Sequence, residues 1–391
     1  MTDTLRPTET VDTSTDMDPG VAALLDRKSA RVAAAGTYVP LTTEHVTGLL
    51  EGFFASERPG EKVGDVGRVG GGASKEQFAF TLTGDDGRTA KYILRMDPIQ
   101  TASETDRRRE FEALKSYHGV VPAPTAEWLD DEGRHFGQPA AIMGFLGGVT
   151  KPAMKSNAPN ITGIGTAFAA ELRGRLATQY LDCLARIHNA DWRSADMPSF
   201  DVPDADDHQV ARWQLNWWSR VWREDAVQIM PIAVLTERWL RQNVPTCNDP
   251  VLVHGDYRTG NFLFDETSGT VTAILDWEYA HLGDFHEDLA WMLQALYATH
   301  QDGETYVCGL YPKDEFIGEY ERLSGRTVDR ATLRWYEILC AWKCLAITLA
   351  TSTKAARDGH NHQDIMLSWL GPVGYVFVTE LCDMIEAETA A

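Results

Sequence analysis

Basic side chains are scarce in this 391-residue chain, with 36 Lys and Arg against 57 Asp and Glu and a formal net charge of −21. That balance repels a polyanion, so nucleic acid is excluded as an expected partner. Cysteine is sparse as well. Cys183, Cys247, Cys308, Cys340, Cys344 and Cys382 form no C-x-x-C pair and no spacing with histidine that suits zinc, and they read as reduced cytosolic thiols. The opening MTDTLRPTETVDTSTDMDPG lacks a basic start and an apolar core, and the apolar run WYEILCAWKCLAITLA carries Lys343 at its centre. Neither export nor a membrane span is expected, and the reading is a soluble, cytoplasmic protein with no membrane partner. Residues 1–20 hold few large apolar side chains to offset the entropy of ordering and read as a disordered tail.

What is present supports a sizeable core in one large or two medium domains, with 43% hydrophobic residues and 12 tryptophans. PGVAALLDRKSARVAAAG suits a short helix. LTTEHVTGLLEGFFAS predicts a better one, with Thr42 or Thr43 as N-cap and Val46, Leu49, Leu50 and Phe53 on one face. Phe78, Phe80 and Leu82 alternate before the turn GDDG and the run KYILR, a hairpin with a third, glycine-rich arm. Gly70, Gly71 and Gly72 permit close backbone approach and Ser74 adds a hydroxyl, a combination that suits phosphate oxygens or an ordinary flexible turn. ETDRRREFEALKSYHGVVPAP predicts a helix ending before Gly119, with Phe111, Leu114 and Tyr117 buried and Glu110 on another face; AAIMGFLGG predicts a short strand and a break. The chain is then mostly helical to about Pro250, including the tryptophan-dense VARWQLNWWSRVWRED.

The stretch VLVHGDYRTGNFLFD sets a histidine, an aspartate and an asparagine between two apolar runs. Asp256 and Asn261 are compatible with simple turn residues bonding their own backbone. Twenty residues on, a β-branched run meets a turn at Asp276, and a helix follows that buries Leu289, Met292, Leu293 and Leu296. A strand, a turn and a strand between Asp256 and Asp276 bring both to one edge. Oxygens of Asp and Asn gathered there suit Mg²⁺, and a carboxylate free of the metal can take a proton from a hydroxyl.

This constellation resembles the aminoglycoside phosphotransferase (kinase-like) superfamily: H-x-D-x-x-x-x-N as His254, Asp256 and Asn261, then Asp276-Trp277-Glu278, then Asp288-Leu289-Ala290. GGASKEQF, YILRMDP and HLGDFHEDLAW look closest to the branch of hydroxyacid and hydroxyacyl-CoA kinases that includes domains fused to acyl-CoA dehydrogenases. The likeness covers roughly Leu41 to Glu380. It implies an α+β, protein-kinase-like bilobal fold, with a small antiparallel-sheet N-lobe over 21–143 and a larger, mostly helical C-lobe over 144–391. It also implies ATP, Mg²⁺, a small hydroxylated acceptor, and a monomer or homodimer. By resemblance Asp256 is the base, Asn261 and Asp276 hold the metal, and His254 is structural. Gly71, Gly72 and Ser74 cover the phosphates, Met143 to Leu146, Phe145 included, form the hinge that reads adenine, and Glu110 pairs with the phosphate-holding cation.

Two departures stand out. Arg95 replaces the usual strand lysine, with Lys91 four residues earlier on the same strand face; Arg95 is preferred because a guanidinium grips carboxylate and phosphate together. Gly144 replaces an acidic hinge residue, so GTP is not excluded. On the substrate side the residues considered are Trp217, Arg258, Glu278 and Lys343. Lys343 reads as a snorkelling surface residue or, with Trp213, Trp217 and Trp218, as the cation of an apolar acceptor pocket; core packing is the other reading of the tryptophans. Alternatives are an antibiotic kinase and a nucleotide-binding pseudokinase, the latter disfavoured by the intact Asp256, Asn261 and Asp276.

Overall fold

The computed structural model describes residues 16–36, 38–70, 74–153, 164–204 and 206–390. Two helices open it, α1 (Pro19–Ala34) and α2 (Thr43–Glu57). Thr42 caps α2 by accepting from the His45 amide, and Val46, Leu50, Phe53 and Phe54 form its buried face while Leu49 is half-buried. The small lobe is an antiparallel sheet of β1 (Lys62–Arg68), β2 (Glu76–Thr83), β3 (Thr89–Met96), β4 (Ala126–Asp130) and β5 (Ala140–Gly144), in the order β1-β2-β3-β5-β4. Strict alternation along β2 turns Phe78, Phe80 and Leu82 onto α2, where the Phe54 and Phe80 rings lie 5.7 Å apart.

Helix α3 (Arg107–Tyr117) is capped by Asp106, which accepts from the Arg108 and Arg109 amides. It buries Ala113, Leu114 and Tyr117 against the large lobe and leaves Phe111 half-buried. In that lobe α4 (Ala170–Asn189), α5 (Gln209–Asp225) and α6 (Pro231–Gln242) precede four short strands. β6 (Val251–Val253) pairs with β9 (His281–Gly283), and β7 (Phe262–Asp265) forms a hairpin with β8 (Thr270–Ile274). Helix α7 (His286–Leu293) follows, then a small sheet of β10 (Thr299–Gln301), β11 (Glu304–Val307) and β12 (Tyr311–Pro312). The chain ends in α8 (Lys313–Ser324), α9 (Arg330–Leu345), a π-helical segment over 346–352, α10 (Thr353–Asp358) and α11 (Asp364–Ala390).

Two expectations need correction. Residues 16–20 are not tail: Met17 is buried, and Asp18 caps α1 and holds both terminal nitrogens of Arg109 at 2.8 and 2.9 Å. Helix α1 does not join the small lobe either, because Val21 and Leu25 enter the large core and Arg220 on α5 reaches the Ala22 carbonyl and Asp26. Ile365–Ala390 is long and apolar enough, by length and composition alone, to cross a bilayer. This helix packs on α6, α9 and α10 through Leu367, Phe377 and Leu381 and turns Ile365, Trp369, Tyr375 and Val376 outward.

The α1 anchor is testable. Asp18→Ala leaves the buried Arg109 guanidinium with Asp201 as its remaining carboxylate, and should lower unfolding free energy by about 2–3 kcal/mol in urea titration. A loss below about 0.5 kcal/mol, the range of an ordinary surface change, would show that α1 is held by its apolar face alone.

Candidate active site

Strand β6 is buried along its length and delivers the chain to Gly255, whose φ of +81° is open to glycine. A Cβ there would stand 2.7 Å from the Tyr279 backbone oxygen and side chain. Asp288, in the first turn of α7, accepts from the amides of His254 (2.7 Å) and Gly255 (2.8 Å) and from His188 Nε2 (3.1 Å). His254 Nε2 donates to the Leu275 carbonyl at 3.0 Å, so its Nδ1 is free to accept the Asp256 amide at 3.3 Å. The histidine thus joins the loop of Asp256 to the loop of Asp276, the structural role expected of it.

These supports aim Asp256. Its Oδ1 accepts from Trp291 Nε1 at 2.7 Å and Arg258 Nε at 2.9 Å, and its Oδ2 accepts from Asn261 Nδ2 at 2.6 Å. The Asn261 amide nitrogen also donates to the Asp256 carbonyl, so the amide oxygen is the group left to face the cleft. Asp276 follows β8 in a left-handed conformation (φ +66°), which a short polar side chain tolerates. Burial pushes its carboxyl up, but the charge and hydrogen bond of Arg95 outweigh that and hold it below the usual carboxylate value.

Arg95 closes the site from the small lobe. Its two terminal nitrogens lie 2.7 Å from Glu110 Oε1 on α3 and 2.6 Å from Asp276 Oδ1, while its buried Nε meets no acceptor. Lys91 stands at the other end of β3, exposed, with its ammonium 3.9 Å from the Phe145 ring centroid. Strand parity had left the two equal; depth along the strand separates them.

Around Arg95 a buried charge network extends further than the sequence indicated. Arg107 reaches Asp97 (3.1 Å), Glu278 (3.5 Å) and Glu110, and Lys75 reaches Asp97 (2.9 Å) and Glu278 (3.5 Å). Glu278, considered for substrate, therefore belongs to this network. Ser74, considered for phosphate, donates its hydroxyl to Glu278 at 3.0 Å, while Gly71 and Gly72 lie outside the described residues.

At the hinge, Met143 is buried and pairs with Ile93. The Phe145 amide donates to the Lys91 carbonyl at 3.0 Å, so its N–H is already engaged, while its exposed ring lies under the Lys91 ammonium. A Cβ at Gly144 would collide with Thr125 Oγ1.

The aromatic acceptor pocket is not formed by the described residues. Trp217 stacks on Trp218 at 5.1 Å, both are buried, and core packing is the reading the structure supports. Arg258, considered for substrate, lies between Asp256 and the Tyr297 ring. Lys343 is no surface residue: its side chain is 1% exposed. Sequence reasoning gave Trp291 and Lys75 no role and left Asp288 as a bare motif letter. Trp291 was within reach, because it sits three residues after Asp288 on one helix and so shares its face.

The donor set fits the implied cofactors. An amide oxygen and a depressed carboxylate are hard ligands suited to Mg²⁺, and a guanidinium with an orphaned buried N–H suits phosphate oxygens.

A family model described as the phosphotransferase enzyme family matches residues 65–336. Acyl-CoA dehydrogenase family member 10 of Mus musculus is 28% identical over 208 residues, which are 52% of this chain and 18% of that protein. The Arabidopsis thaliana protein IBR3, named as an acyl-CoA dehydrogenase, is 25% identical over 303 residues, 72% of this chain and 35% of its own length. The chain thus spans well under half of the curated relatives it matches. A crystal structure of a candidate aminoglycoside phosphotransferase from Ralstonia eutropha is 20% identical with a TM-score of 0.59, over 85% of this chain and 98% of that one, and shares its fold.

A pH dependence follows from the carboxylates. Burial opposes ionisation of Asp276 and Asp288, yet Arg95 for the one and His188 for the other leave both folded-state values depressed. The unfolded chain binds these protons first as pH falls through about 4, so their stabilisation is complete above about pH 5 and is lost below. Urea titration at pH 7 and pH 4 should show Asp288→Asn less stable at pH 7 but losing less on acidification than wild type. Equal acid losses would contradict the assignment.

Proposed function

From the premise that this chain belongs to the phosphotransferase enzyme family, whose matched region contains Arg95, Glu110, Asp256, Asn261 and Asp276, we propose that it uses magnesium-ATP to phosphorylate a hydroxyl on a small, relatively apolar acid or its acyl-CoA thioester. The reading is carried by one arrangement: Asp256 bonded to Asn261 on one side of the cleft, and Arg95 bridging Glu110 and Asp276 on the other.

Asp256 acts as the base at Oδ2. Among the described residues Oδ1 accepts from two donors, whereas Oδ2 accepts from Asn261 and retains a lone pair for the proton of the incoming hydroxyl. Trp291 and Arg258 hold the carboxylate so that the proton leaves along a set direction. Magnesium, held by the Asn261 amide oxygen and Asp276 when bound, neutralises charge on the transferring phosphoryl group. Arg95 grips the donor phosphates with its fork, and Glu110 keeps that fork in register.

Two observations favour an anionic acceptor over a polycationic antibiotic. Arg258 places a cation against the base, and Glu110, Asp276 and Glu278 are each already paired with Arg95, Arg107 or Lys75. The relatives' names point toward acyl-CoA metabolism in the same sense. A panel of hydroxy acids, their CoA thioesters and aminoglycosides, scored by ADP release, tests this. Turnover confined to aminoglycosides would overturn the acceptor class, and turnover with none would favour a binding role.

Asp256→Asn should keep ATP affinity and lose ~10²–10⁴-fold in turnover, the usual worth of a general base. Arg95→Ala should weaken ATP binding, because it removes a donor to the phosphates and leaves the Asp276 carboxylate without that partner, while Glu110 keeps Arg107, whereas Lys91→Ala should change little. Loss confined to Lys91→Ala would reverse the assignment. Asp276→Ala should abolish the magnesium dependence of nucleotide affinity measured by calorimetry.

A further inference from the structure

Lys343 has no part in the mechanism above, yet it is among the most thoroughly enclosed cations in the protein. It lies on α9 with its side chain 1% exposed. Its ammonium donates to the Gly255 carbonyl at 3.2 Å and lies 3.4 Å from Glu287 Oε1. Three ring faces complete the enclosure, with centroids at 4.7 Å for Tyr279 and Trp291 and 5.3 Å for Trp218. The other oxygen of Glu287 is engaged by His281 Nε2 at 3.2 Å. An apolar side chain of like volume would fill this space without the cost of desolvating a charge, so stability alone is a poor reason for a lysine here.

The contacts suggest another reason. The Gly255 carbonyl and the Asp256 amide belong to one peptide unit. Lys343 holds its oxygen and His254 Nδ1 accepts from its nitrogen. A planar group fixed at both ends cannot rotate, and that plane sets where the Asp256 side chain begins. Trp291, whose ring covers the ammonium, is also the residue whose indole N–H donates to Asp256 Oδ1. The lysine therefore braces both the backbone and the carboxylate of the base.

We propose that Lys343 is a positioning residue that holds Asp256 in its reactive orientation through the Gly255 carbonyl and the Trp291 ring. The proposal rests on Asp256 being the base. It also means that the aromatic cage beside the base is filled by the protein's own ammonium, so an acceptor cannot lodge a cation there.

The test uses ADP release from magnesium-ATP, magnesium-ATP affinity by calorimetry, and urea midpoints. Lys343→Met preserves volume and removes the charge. Turnover should fall about 10²-fold, the scale of a misplaced catalytic group, with ATP affinity within about twofold of wild type because Arg95 and Asp276 are untouched. Retained turnover, or a loss matched by a loss of folded protein, would overturn the proposal. Lys343→Ala adds a second arm: propylammonium, the missing part of the side chain, should restore turnover and shift tryptophan emission, while propanol should do neither. Recovery with both, or with neither, would contradict a role for the cation. Asp256→Asn measured alongside separates the two assignments. If it keeps full turnover, the base is misassigned; if it fails while Lys343→Met does not, only the positioning role falls.

Discussion

One buried carboxylate organises the catalytic half of this protein. Asp288 has no solvent exposure, and an anion in that position is tolerable only because donors surround it. Two of them are the consecutive amides of His254 and Gly255. By binding adjacent N–H groups the carboxylate curls the backbone into the tight turn that needs glycine at 255. Everything downstream inherits that turn. His254 faces Asp276's loop, Asp256 faces the cleft, and Lys343 finds a carbonyl to hold.

The opposite wall obeys a different economy. Arg95, Arg107 and Lys75 share the interior with Asp97, Glu110, Asp276 and Glu278, nearly all of them out of water. Such a cluster is not a source of stability, because desolvation consumes most of the Coulombic gain. Its effect is geometric. It ties β3 and α3 of the small lobe to the Asp276 loop of the large one, so the cation proposed for phosphate and the carboxylate proposed for metal are held within one hydrogen-bonded chain.

The tryptophans show how one sequence signal served two ends. Trp213, Trp217 and Trp218 at helical spacing are equally the pattern of a pocket lining and of a core. The structure buries all three and sets Trp217 and Trp218 against Tyr279, where their area contributes to packing. Trp291, which carried no such pattern, is the one that touches the base. A single polar atom on an aromatic ring has no periodicity to betray it.

Much of the architecture was legible before any coordinates. Alternation at Phe78, Phe80 and Leu82, the cap at Thr42, and the apolar face of α2 depend on neighbours within a few residues, and local chemistry determines them. The offsets among His254, Asp256 and Asn261 were legible for the same reason: a single tight turn presents all three. Only the tertiary structure could bury Arg95 between two carboxylates and leave Lys91 exposed, return Glu278 and Ser74 to one charge network, attach α1 to the large lobe, or turn Lys343 inward. Each of those outcomes depends on which distant segment arrives opposite a side chain. A charge at a given position looks the same along the chain whether water or a buried carboxylate will face it.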